Sequence, residues 1–158
     1  MAYPRFARAR AFKHAARTAG DVNLVSASWV AIDAGLNLAI SAQPGDVIEA
    51  GMNAFMNSAA AESIRLDVFC MNGATVLSQF GTANEGVPAW IIPALANFYF
   101  PGPPILRAMS TTDIVAGQVS LSLRYKNITA GATGRTIFAN SDRALRFYVK
   151  NLGPADST

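Results

Sequence analysis

The chain has 158 residues, 51% of them hydrophobic and 15% charged, with a formal net charge of +3. That length corresponds to one ordinary domain without separate cofactor and substrate lobes, and burial of roughly 69% of the unfolded surface supports a core without staples. The lone Cys70 excludes an intramolecular disulfide and a Cys-rich zinc site, while a charged fraction below the usual value of about 25% points to surface covered by other subunits.

The charge is uneven. Arg5, Arg8, Arg10, Lys13 and Arg17 stand in the first 20 residues without an acid, so that segment carries +5, and the remaining 8 bases against 10 acids leave the rest at −2. Residues 1–20 therefore read as a basic N-terminal arm ahead of a body at 21–158. Phe6, Phe12 and several alanines interrupt its charges, which is not the continuous apolar stretch of a signal peptide; an Arg-rich, acid-free start also fits a transit peptide.

From residue 21 the pattern is that of an antiparallel β domain. Weaker strand candidates run over residues 22–29, 36–41 and 47–56, with Gln43-Pro44-Gly45-Asp46 as a turn between the last two. Ile64, Leu66 and Val68 alternate with Arg65, Asp67 and Phe69, and Asn72-Gly73 then predicts a type I′ hairpin into residues 75–80. Residues 86–106 are uncharged but contain five prolines, which rule out a membrane helix and read as a long, stiff, apolar loop. A further candidate follows at 105–109. Val119, Leu121, Leu123 and Tyr125 alternate with Ser120, Ser122 and Arg124 in the clearest strand signal of the chain. Candidates at 135–139 and around the alternating Leu145, Phe147 and Val149 complete about nine strands without a helix between them. This spacing predicts an all-β, two-sheet sandwich of about 8–10 strands, a jelly roll in preference to an immunoglobulin fold, which usually brings paired cysteines.

Catalytic chemistry finds little purchase. The one histidine, His14, lies in the arm, away from any partner for a triad. Cys70 ends a strand beside Phe69 and Met71, the setting of a buried, inert thiol. Glu49, Glu62, Asp67, Glu85, Asp113 and Asp142 are scattered singly, without the spacing of a metal loop or a paired acid and base. The segment 131–136 lacks the spacing and lysine of a phosphate loop. The expectation is a non-enzymatic protein without cofactor or metal.

Several stretches together resemble small virion proteins of tailed bacteriophages, especially those of actinobacteria, which are similar to the trimeric tumour-necrosis-factor-like jelly rolls. They are Pro4-Arg5-Phe6, Thr18-Ala19-Gly20-Asp21, Ala42-Gln43-Pro44-Gly45-Asp46-Val47-Ile48-Glu49, Gly86-Val87-Pro88-Ala89-Trp90, residues 119–126, and Phe147-Tyr148-Val149-Lys150-Asn151-Leu152-Gly153-Pro154. The resemblance implies a structural role as a capsid decoration protein or a fibre or tail component, usually trimeric, located in the virion after assembly in the host cytoplasm. On that reading the arm residues Arg5, Phe6, Arg8, Arg10, Phe12, Lys13 and Arg17 bind the major capsid protein on the capsid exterior, with phenylalanines as anchors and arginines pairing with carboxylates. Nucleic acid fits less well, because Phe6, Phe12 and Tyr3 are the only stacking candidates there, and no membrane partner is expected. Trp90, Phe98, Tyr99 and Phe100 are candidates for a subunit interface or loop contacts, or alternatively for the domain's own core. The other functional reading is a tail- or fibre-tip module that binds a host receptor through the loops 82–86 and 127–134.

Overall fold

The computed structural model describes residues 11–58, 64–81, 89–92, 95–127, 135–140 and 142–154. The strands in chain order are β1 (Ala11–Arg17), β2 (Val22–Asn23), β3 (Val30–Ala31), β4 (Leu38–Ser41), β5 (Asp46–Ser58), β6 (Ile64–Asn72), β7 (Thr75–Gln79), β8 (Trp90–Ile92), β9 (Phe98–Ala108), β10 (Gln118–Asn127), β11 (Arg135–Phe138) and β12 (Leu145–Pro154). Two short 3₁₀ helices, η1 (Ala34–Leu36) and η2 (Thr111–Asp113), are the only helical turns among the described residues.

The first sheet has the order β1-β12-β5-β11-β2, with β9 on the other edge of β5; the second is β3-β10-β6-β7, with β4 also on β10 and β8 also on β6. All pairings are antiparallel. Taking β1, β4, β5, β6, β7, β9, β10 and β12 as the principal strands, the sheets run first-eighth-third-sixth and second-seventh-fourth-fifth. These are the interlocked Greek keys of a jelly roll, in agreement with the expected all-β sandwich.

The two-residue period places the core. Val119, Leu121, Leu123 and Tyr125 of β10 point inward, as do Ile48, Ala50, Met52, Ala54 and Met56 of β5 and Leu145, Phe147 and Val149 of β12. Each large side chain buried there contributes roughly 1.5–3 kcal/mol. The small Ala50 and Ala54 let the two sheets approach where Met52 and Met56 fill the space between them.

Three expectations need correction. The proline-rich stretch at 86–106 is not a loop throughout, because β8 and most of β9 lie within it. Pro101, Pro103 and Pro104 are accommodated because β9 pairs only with β5 among the described residues, and because the register shifts between Ala50 and Met52, opposite Pro103 and Pro104. An edge strand and a bulge are the two places where a residue without an N–H costs no ladder bond. Residues 22–29 do not form one strand: the Ser26 hydroxyl donates to the Ser28 carbonyl at 2.8 Å and accepts from the Ser28 N–H at 3.1 Å, and this local turn ends β2 early. The hairpin joins Asn72 to Thr75, with Gly73 at φ 57° and no positive φ at Ala74, which is the type II′ pattern and not type I′.

Residues 11–17 of the segment read as an arm form β1, paired with β12 from Ala11↔Asn151 to Arg17↔Leu145. Ala11 and Ala15 pack against the core, and the exposed Lys13 between them breaks the period-2 signal that would have marked the strand. The arm residues Arg5, Phe6, Arg8 and Arg10 lie outside the described residues.

Buried polar groups close the open side of the sandwich. Arg107 of β9 donates to the Gln79 carbonyl of β7 and lies 3.5 Å from the Asp113 carboxylate, joining the two sheets. Burial alone would raise the Asp113 carboxyl, but hydrogen bonds from Ser78 and from the Ser110 N–H and hydroxyl bring it below the ordinary range. Asp67 is fully buried and accepts backbone N–H bonds from Val68 at 2.7 Å and Gly81 at 3.0 Å, and another from Ala89. Desolvation outweighs those bonds and raises its carboxyl to about 6.

The two acids act in different pH windows. The Asp67 carboxyl holds its proton more tightly folded than unfolded, so its contribution is present below pH 4 and lost as pH rises from about 4 to about 6. Asp113 has the opposite sign and loses its contribution as pH falls below about 4. Asp67→Asn, which fixes a neutral group, is therefore expected to flatten the fall in stability between pH 4 and 6, worth up to roughly 3 kcal/mol. Urea unfolding of both proteins across that range checks it, and equal slopes would contradict the assignment.

Candidate functional site

The outward face of the first sheet carries most of the aromatic and cationic side chains that neither the core nor the inter-sheet contacts use. Alternation along β12 sends Arg146, Tyr148 and Lys150 outward while Phe147 and Val149 go in. Their partners on β5 are Asn53, Gly51 and Glu49. Phe12 and His14 of β1 sit opposite Lys150 and Tyr148, and Phe55 and Phe138 face each other across β5 and β11.

The Phe12 ring lies 5.7 Å from His14 and 6.3 Å from Tyr148 between centroids. Tyr148 lies across Gly51: a Cβ there would stand 2.5 Å from the ring, so only glycine permits this seat. Lys150 Nζ is 3.0 Å from Glu49 Oε1 and 5.4 Å from the Tyr148 centroid. Burial and the nearby Glu49 raise the Tyr148 phenol, and the Glu49 carboxylate raises the Lys150 ammonium. The pair is open to solvent, so it positions the lysine more than it stabilises the fold. Further along, the Arg143 guanidinium stacks 4.3 Å from the Phe55 centroid.

Two shallow clefts of about 340 and 220 Å³ lie on this face, and Asn53 and Arg146 line both. The first is bordered by Phe12, His14, Tyr148 and Lys150, the second by Phe55, Tyr99 and Arg143.

The residues singled out in the sequence separate here. Phe12 is exposed at the β1 edge and Lys13 is exposed beside it. Arg17 is committed within the chain: its Nε donates to the Gly20 carbonyl at 2.7 Å and its guanidinium pairs with Asp33. The Gly35 N–H and then Arg17 hold the Asp33 carboxyl below its ordinary value. Trp90 is buried in the core, where its indole N–H donates to the Pro103 carbonyl at 2.9 Å, so β8 of one sheet is tied to the β9 bulge of the other. Phe98 and Phe100 pack against the same core, while Tyr99 between them is 58% exposed. Of the loops 82–86 and 127–134, only Asn127 falls within the described residues.

Leu106, exposed like Tyr99, was not singled out in the sequence. Its position in a strand that places it on the same face as Glu49 is the missing signal. Cys70 is fully buried, and desolvation raises its thiol, which keeps the sulfur protonated. Among the described residues no group of three His, Cys, Asp or Glu could hold a metal ion, and no helix is long and apolar enough to cross a membrane.

No protein-family model matches the sequence, and no curated protein matches it. Among solved structures, a mutant VP2 protein of infectious bursal disease virus in T=1 particles is similar at a TM-score of 0.46 and 7% identity, over 92% of this chain and 37% of that one. The structure of the Gx strain of the same virus gives 0.43 and 7%, over 94% of this chain and 38% of that one. The T13 particle of the virus gives 0.36 and 9%, over 93% and 37%. The chain thus spans less than two fifths of the length of the chains it is similar to.

The seat of Tyr148 gives a test of this face. Gly51→Ala is expected to cost about 1–3 kcal/mol by driving the ring off the strand, and close to nothing in a Tyr148→Ala background. Urea titration of the single and double variants measures the coupling, and additive costs would remove the ring from Gly51.

Proposed function

We propose that the chain is a non-enzymatic virion structural protein, a trimeric decoration protein of a bacteriophage capsid exterior. The observation that supports it best is the exposure of unlike apolar side chains at the two edges of the first sheet. On β9, at one edge of the first sheet, Tyr99 and Leu106 are 58% and 61% exposed. Phe12, 53% exposed and beside Tyr148, stands at the β1 edge. Single exposed apolar residues are ordinary in a monomer; here they stand at both edges of one sheet. A ring of identical subunits needs two different, complementary patches on each copy. In the order β1-β12-β5-β9 these patches are three strand spacings apart, about 14 Å.

The basic residues Arg5, Arg8 and Arg10, with Phe6, precede β1 and serve in this reading as the tether to an acidic surface of the major capsid protein. Three tethers on one trimer raise avidity by about 10² to 10⁴ over one. Each trimer then links neighbouring capsomers and adds interface that must be broken before the shell opens.

Light scattering on the purified protein is expected to give about 50 kDa, three times the 16.7 kDa chain mass. Leu106→Asp changes an exposed side chain and is expected to give a folded monomer. Co-sedimentation with shells stripped of this protein tests location. The full chain is expected to pellet saturably, and a version lacking residues 1–10, which leaves β1 whole, to stay in solution. A monomeric wild type, or a full chain that ignores the shells, overturns the decoration reading; the latter result transfers the protein to the tail or fibre tip as a receptor-binding module.

A further inference from the structure

The second sheet carries a built cleft on its outward face, on the opposite side of the sandwich from the patches above. Its floor is the row Ser120, Ser122 and Arg124 of β10. On one side of this row stand Met71 and Phe69 of β6, cross-strand from Ser120 and Ser122. On the other side the edge strand is broken: β4 pairs with β10 through Leu121 and β3 resumes at Arg124. Between them the chain leaves the sheet through η1, so among the described residues nothing pairs beside Ser122 on this side and a hollow of about 260 Å³ opens, bordered by Asn37.

Two buried polar atoms in this hollow lack hydrogen-bond partners. Ser122 is 2% exposed, yet its hydroxyl makes no hydrogen bond. Arg124 Nε is likewise buried and unbonded. The guanidinium is held by stacking, 5.4 Å from the Phe69 centroid, and Trp29 packs on that ring at 5.2 Å. A buried hydroxyl and a buried N–H left without partners cost stability, and such exceptions are informative about what a site receives.

We propose that this cleft binds one acidic sugar unit of a polysaccharide, with Arg124 taking the carboxylate and the Ser120 and Ser122 hydroxyls taking ring hydroxyls. A guanidinium matches a carboxylate through two parallel hydrogen bonds. Serine hydroxyls and the Asn37 amide both donate and accept, as a polyol requires. Met71 supplies an apolar wall for the C–H face of a sugar ring. The volume lies below the usual range of about 300–1,000 Å³ for drug-sized ligands and suits a single ring. The proposal rests on the cleft alone and is independent of the virion reading.

Titration of the full chain with D-glucuronate, followed by calorimetry and by amide chemical shifts, tests it. Saturable binding with a dissociation constant of about 1–10 mM is expected, with shifts centred on β10 and affinity about tenfold weaker for D-glucose and for inorganic sulfate. Ser122→Ala and Arg124→Gln are each expected to weaken glucuronate binding about fivefold or more. Ser122→Ala removes only an unbonded hydroxyl and should melt no lower than wild type, so it keeps the test valid if Arg124→Gln folds poorly. Absence of saturable binding, or binding unchanged in Ser122→Ala, overturns the proposal. Sulfate binding as tightly as glucuronate reduces the cleft to an anion site, and glucose binding as tightly removes the role of Arg124; either result also overturns it.

Discussion

Strand β5 is the member against which the first sheet is registered. Its 13 residues pair with β12 over the first part and β11 over the last along one edge, and with β9 along the other. Side chains alternate with a period of two, so a one-residue slip of any partner would exchange its buried and exposed sets. The inward series Ile48, Ala50, Met52, Ala54 and Met56 opposes such a slip by filling the core, and the outward series includes the glycine on which Tyr148 rests. The β9 bulge lies beside the same glycine, so the prolines and the aromatic seat are accommodated at one point of one strand.

What could be read in the sequence follows from how local each signal is. The alternation in β10 and β12, and the turns at Pro44-Gly45 and at Gly73, depend on neighbours along the chain and were legible. The pairing of β1 with β12 joins segments more than 120 residues apart, and the run Ala11-Phe12-Lys13-His14-Ala15-Ala16-Arg17 has no apolar alternation to announce it. Pro101, Pro103 and Pro104 look like breakers in the sequence, which does not show that β9 pairs on one side only among the described residues. The aromatic run was similarly ambiguous: strand geometry sends Phe98 and Phe100 toward the core and Tyr99 away from it. Ser120, Ser122 and Arg124 read as a wetted face, and only the interruption between β3 and β4 turns that face into a hollow.

The two sheets therefore present unlike chemistry to their surroundings. The first offers rings and cations at the surface, with Lys150 held by Glu49 and Arg143 held by Phe55. The second offers a recess of small hydroxyls beside a stacked guanidinium. Between them, Arg107 and Trp90 join the sheets at the β8–β9 side through backbone carbonyls, contacts that fix spacing without demanding a particular side chain in return.

The Asp67 carboxylate receives the N–H groups of both Gly81 and Ala89. One buried side chain thus gathers the two ends of the stretch that joins β7 to β8, and it does so from β6, the strand on which both of them pair. Exit from β7 and entry into β8 are thereby pinned to one point of β6, a constraint on the sheet's register that is set by Asp67 and not by what lies between the two ends.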